Sequence, residues 1–101
     1  MVRPPFSYLG KYTISDYAIY QIIEHCISKI QGIEKISRFR AENHPEGIYI
    51  EIDLVLIYGF IIKPLLKYVQ EKVKDDIENF TALNIKTINV TAKSIVLGDK
   101  S

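Results

Sequence analysis

GIYIEIDLVLIYGFII, Gly47 to Ile62, is the stretch whose reading decides how this chain folds. Ile48, Ile50, Ile52, Leu54, Leu56 and Tyr58 alternate with Tyr49, Glu51, Asp53, Val55 and Ile57, the period of a β-strand, so the first six share one apolar face that must be covered. Gly59 ends that strand. Pro64 stands where a helix begins, because its ring presets φ and the N–H it lacks is one the first turn leaves unpaired. A strand, a glycine corner and a long helix are therefore expected in succession.

That helix carries Ile62, Leu65, Leu66, Val69, Val73, Ile77 and Phe80 on one side, each contributing about 1.5–3 kcal/mol if fully buried. Its charges run against its dipole: Lys63, Lys67, Lys72 and Lys74 crowd the N-terminal part, and Asp75, Asp76 and Glu78 lie toward the C-terminus. Lys67–Glu71, Lys72–Asp76 and Lys74–Glu78 are spaced as i,i+4 pairs with the cation first, the weaker order. One reading is a solvated face. The other is an anion site at Gly59, Phe60, Ile61, Lys63 and Lys67, where first-turn N–H groups and ammonium groups converge on a phosphate, a headgroup or an acidic partner.

Upstream, MVRPPFS (1–7) reads as an extended tail, and Tyr8 to Ile14 as a first strand with Tyr12 and Ile14 on one side. Ser15 reads as an N-cap with Asp16 in the first turn, and Ile19, Ile22, Ile23, Cys26, Ile27 and Ile30 form a buried stripe ending before Gly32, the left-handed helix stop. A second strand is expected over Ile33 to Arg40, marked by Ile36 and Phe39, followed by a connection from Ala41 to Glu46. Downstream, Asn84 to Leu97 reads as a half-buried strand with Ile88, Val90 and Ala92 inward. The expected domain spans residues 8–97, with a short tail at 98–101. The order β-α-β-β-α-β, with both helices on one face of a mostly antiparallel or mixed sheet, makes an α+β two-layer sandwich, with a split βαβ unit as one form of it.

Composition narrows function mainly by exclusion. The chain has 101 residues, 25% charged and 48% hydrophobic, with a net charge of +1, so it carries one core and no field for steering nucleic acid. Cys26 is the only cysteine, which rules out an intramolecular disulfide and suits a reducing compartment. The N-terminus has no apolar secretion region, and the longest uncharged apolar run, Leu54 to Ile62, is far short of the about 20 residues that span a bilayer. Cys26 and His25 point about 100° apart on a helix and read as a core cysteine beside a surface histidine. His44 stands alone in a loop, so no metal site is expected. Glu51 and Asp53 share a strand face but read as solvated side chains rather than a catalytic pair. No cofactor and no catalytic residue are expected, and the Asn79 and Asn89 sequons read as chance matches.

GKYTIS (10–15), IQGIEKI (30–36), LIYGFIIKPLLKYVQEKV (56–73) and ENFTALNIKTINVTAKSIV (78–96) together resemble the alkaline-shock-protein family of Gram-positive bacteria. Ala82 stands where the family usually has glycine, and the segment between the second and third strands is short. The resemblance implies a cytoplasmic, non-enzymatic protein tied to cell-envelope stress, self-associating and in some cases held at the membrane by an anchored protein partner. The expected function is an interaction or scaffold protein using its edge strands and the helix-free face of its sheet: Tyr49, Glu51, Asp53, Val55, Ile57, Asn89, Thr91 and Lys93. Val55 and Ile57 are either part of a contact patch or covered by the N-terminal tail. The alternative is a nucleic-acid-binding or regulatory module with Tyr49 as a stacking platform, disfavoured because Glu51 and Asp53 beside it repel phosphates.

Overall fold

The computed structural model describes the backbone of residues 14–98 and the side chains of residues 16–98. Over that range the order is α1 (Ile14–Ser28), β1 (Ile33–His44), β2 (Gly47–Ile57), α2 (Ile62–Phe80) and β3 (Ile85–Val96). The strands form one mixed sheet in the order β1-β2-β3, with β1 antiparallel and β3 parallel to the central β2. The α+β sandwich read from the sequence is present, its first element here being α1. The expected strand over Tyr8 to Ile14 and the tail at 1–7 lie outside the described residues, apart from Ile14, which is helical. Helix α1 thus starts one residue before Ser15, the expected cap, and Asp16 lies in its first turn. Strands β2 and β3 are direct neighbours joined through α2, so this crossover is an unsplit βαβ unit.

Strand β2 supplies the centre of the core, as its alternation requires: Ile48, Ile50, Ile52, Leu54 and Leu56 are buried against both helices. They meet Ile19, Ile23, Cys26 and Ile27 of α1 and Val69, Val73 and Ile77 of α2. Tyr20, absent from the expected stripe, is also buried and packs edge-on against Phe39 with ring centroids 5.4 Å apart. Two members of the expected apolar faces point to water. Tyr58 is 72% exposed because β2 stops at Ile57, and Phe80, the last residue of α2, is 70% exposed.

Strand β1 is longer than expected and runs to His44, which pairs with Gly47. The connection shrinks from Ala41–Glu46 to the turn at Pro45 and Glu46. Gly47 is needed here: its φ is +144°, and a Cβ on it would approach the Asn84 carbonyl to 3.1 Å. At the end of α2, Thr81 supplies the stop: its Oγ1 donates to the Ile77 carbonyl at 2.8 Å and accepts from Leu83 N–H at 3.0 Å. Ala82 therefore needs no left-handed backbone, and none of the described non-glycine residues has positive φ.

Candidate functional site

Both helices lie on one side of the sheet, and the other side is built from the intervening residues of the three strands. The antiparallel register sets Arg38 opposite Asp53 and Arg40 opposite Glu51, and the parallel register sets Glu51 beside Asn89 and Asp53 beside Thr91. These side chains pair across the strands. Arg38 Nη1 lies 3.8 Å from Asp53 Oδ2, and Arg40 Nη1 lies 3.7 Å from Glu51 Oε1. Arg40 also bonds Glu42, which receives His44 Nε2 at 3.1 Å. Hydrogen bonds from His44 and then Arg40 hold the Glu42 carboxyl below its ordinary pKa.

Tyr49 completes the hairpin end of this face. Its ring lies 4.3 Å from that of His44, and its hydroxyl donates to Glu46 Oε2 at 2.8 Å. That bond lowers the pKa of Glu46 and raises that of Tyr49. Arg38, Glu51, Asp53, Asn89 and Thr91 border, together with Val90 and with Gln70 of α2, a polar hollow of about 520 Å³ that reaches round the β3 edge. Sequence reading named four of these seven for the face and missed Arg38, Val90 and Gln70; the signal for Arg38 is the alternation of Arg38, Arg40 and Glu42.

Not every residue named for this face is available on it. Val55 is only 7% exposed, so it offers no contact surface, and Ile57 is half-buried. Lys93 is exposed but has no partner on β2, where the pairing steps from Leu54–Ala92 to Val55–Ser94. That extra residue shifts Ile95 to lie beside Leu56.

The residues named for an anion site gather at the corner between β2 and α2, where their surface is largely apolar. Phe60 and Ile61 are exposed and border a hollow of about 330 Å³ with Tyr58, Gly59 and Ile95. Ile61 is the N-cap and makes no side-chain capping bond. Lys63 is exposed, while Lys67 pairs with Glu71 at 3.5 Å; the other two expected i,i+4 pairs also form, at 3.7 and 3.6 Å.

Neither face assembles the parts of a reaction centre from the candidates the sequence offered. Cys26 is buried, and burial followed by its hydrogen bond to Asp76 pushes its pKa up to about 12, so it is held as the unreactive thiol. His25 is exposed and His44 reaches one carboxylate. Among the described residues no group of three or more His, Cys, Asp or Glu side chains is placed to hold a metal ion. None of the described helices is long and apolar enough to cross a membrane.

The model of the alkaline shock protein family, described as having a cell envelope-related function, matches residues 6–97. The chain belongs to the alkaline shock protein family. The resemblance carried by the tyrosine–glycine corner and the last strand is thereby established for this alkaline-shock-family chain. No curated protein matches it. Among solved structures it is similar to the MamM CTD in a copper form, at 16% identity over 88% of this chain and 96% of that one, with a TM-score of 0.68. A MamM CTD variant in a zinc form is similar at 15% identity over the same shares, with a TM-score of 0.61. At such identities the likeness shows the fold alone, and the metals named are those of the MamM structures.

Proposed function

We propose that this alkaline-shock-family chain is a non-enzymatic interaction or scaffold protein with a cell-envelope role. It binds other protein chains, membrane-anchored partners and further copies of itself among them, through the helix-free face of its sheet. The observation that carries this reading is the one-sided placement of α1 and α2, which leaves the reverse of the sheet without a covering layer among the described residues. Several charges on that face are bonded within it, Arg38 to Asp53 and Arg40 to Glu42 and Glu51, so a partner covers bonded groups rather than isolated ions, which lowers the cost. The basic pair Arg38 and Arg40 on β1 beside the acidic pair Glu51 and Asp53 on β2 also suits self-pairing about a two-fold axis, where each meets its complement.

Sedimentation velocity tests the reading. The wild type is expected to gain mass between micromolar and near-millimolar concentration. Ile57→Asp and, separately, Tyr49→Ala should weaken that association by about tenfold, equivalent to 1.4 kcal/mol, while leaving the monomer's thermal melt cooperative. A wild type that stays monomeric and also captures no partner from solubilised membranes would contradict the reading.

A further inference from the structure

We propose that the corner end of the molecule, where β2 turns into α2 and β3 finishes, docks on an anionic lipid surface. Three side chains there stand well out of the fold: Tyr58, Ile61 and Leu97, at 72, 77 and 81% exposure. Phe60 and Ile95 join Tyr58 and Ile61 around one hollow, so the corner residues form a patch rather than a scatter of single apolar groups. Ring-bearing and aliphatic side chains together on a protruding corner suit the headgroup boundary, where tyrosine keeps its hydroxyl in water and the aliphatic groups dip beneath.

The charges around the patch point the same way. From Leu54 to Gln70 the chain has no acidic residue, and Lys63 and Lys67 are its only charges. Lys35 opposite Val55 and Lys93 beside Ser94 add to this end, against Glu34, Glu24, which borders a hollow with Glu34 and Lys35, and Glu71, the partner of Lys67. The acidic residues of α2, Asp75, Asp76 and Glu78, lie at the other end of that helix, with Glu42 and Glu46 beside the distant hairpin. The charge order that opposes the dipole of α2 thus places Lys63 and Lys67 at the apolar corner and Asp75, Asp76 and Glu78 toward the far end of the helix. A rule broken within one element is here consistent with a requirement of the whole surface. The Lys67–Glu71 pair is exposed on both sides and exchanges readily for a lipid phosphate.

A second copy of the chain is the poorer occupant. Joining this end to itself brings Lys63 and Lys93 of two copies together, whereas an anionic bilayer supplies the opposite sign over any area the patch presents. The lipid contact is separate from the sheet-face reading above and stands or falls without it.

Flotation of the full chain with phosphatidylglycerol/phosphatidylcholine vesicles tests the proposal. Binding is expected to rise with the phosphatidylglycerol fraction, to fall with salt and to be absent on phosphatidylcholine alone. Ile61→Asp and Leu97→Asp should each reduce it about tenfold, and the Lys63→Gln/Lys93→Gln pair should flatten its salt dependence. All of these side chains are exposed, so the thermal melts are expected to match the wild type. Tyr49→Ala, on the sheet face, should float as the wild type does whether or not it self-associates. No flotation at low salt, or flotation unchanged in Ile61→Asp, overturns the proposal. A wild type that ignores vesicles but forms dimers lost in Ile61→Asp assigns the corner to a second copy and overturns it equally.

Discussion

Gly32 and Gly59 both hold positive φ, +100° and +113°, yet they do so against different surroundings. A Cβ on Gly59 meets nothing within 4 Å, whereas one on Gly32 meets Leu65 Cδ2 and Phe60 Cγ at 3.0 Å. Gly59→Ala should therefore cost only the left-handed penalty, about 1–2 kcal/mol, in urea denaturation. Gly32→Ala should cost about 1 kcal/mol more, limited because the part-exposed Phe60 ring has room to turn aside. Both glycines were legible in the sequence as stops after periodic segments. The close approach at Gly32 was not, since it depends on how α1 ends against α2. Cys26 shows the same split: its place on an apolar stripe reads directly from spacing, but its neighbour Asp76 arrives from another helix. Because its folded pKa is raised to about 12, the thiol form stabilises the fold fully below its ordinary pKa near 9, and this contribution is lost as pH rises from there toward 12. Between pH 8 and 10 the wild type should lose about 1 kcal/mol more than Cys26→Ala in parallel urea melts. Equal losses would show that the thiol titrates alike in folded and unfolded chains.

Strand β1 explains why its alternation reads weakly at the scale of an element. Its apolar residues fall at Ile33, Ile36, Phe39 and Ala41, two steps of three followed by one of two, and the pairing with β2 slips once between Ile33 and Lys35 and again between Ile36 and Arg38. Each slip inserts a residue and restores the inward face, which a strict period of two conceals. Ser37 is one such insertion, and its Oγ donates to the Asp53 carbonyl at 3.2 Å. Ser37→Ala should therefore cost only about 0.5 kcal/mol, the loss of one exposed hydrogen bond. Deleting Ser37 should cost about 3 kcal/mol or more, because Ile33 and Ile36 would be turned to the wrong face. Chemical denaturation of the two variants separates register from hydrogen bonding. A deletion as mild as the substitution would contradict the bulge. Strand β2 has no inserted residue, and its alternation, broken from Ile48 to Leu56 only by the burial of Val55, was the most legible element in the chain.

For the molecule as a whole, the two-layer architecture was legible because β2 is apolar on one side and two amphipathic helices were available to cover it. The candidate face was legible at Tyr49, Glu51, Asp53, Asn89 and Thr91, but not at Val55 or Lys93. Its contribution from β1 was not, since Arg38 and Arg40 join it only through a register fixed by the bulges. Val55, read as either part of a contact patch or covered, is buried, and the exposure of Tyr58 follows from the strand stopping one residue earlier. The envelope-related family and the one-sided covering of the sheet together motivate a role in binding protein chains. A dilution series followed by backbone amide NMR tests that claim most directly. The account predicts that amides of Tyr49–Ile57 and Asn89–Lys93 shift progressively with concentration while those of α1 and α2 stay in place. Shifts confined to the helices, or none at any concentration, would contradict it.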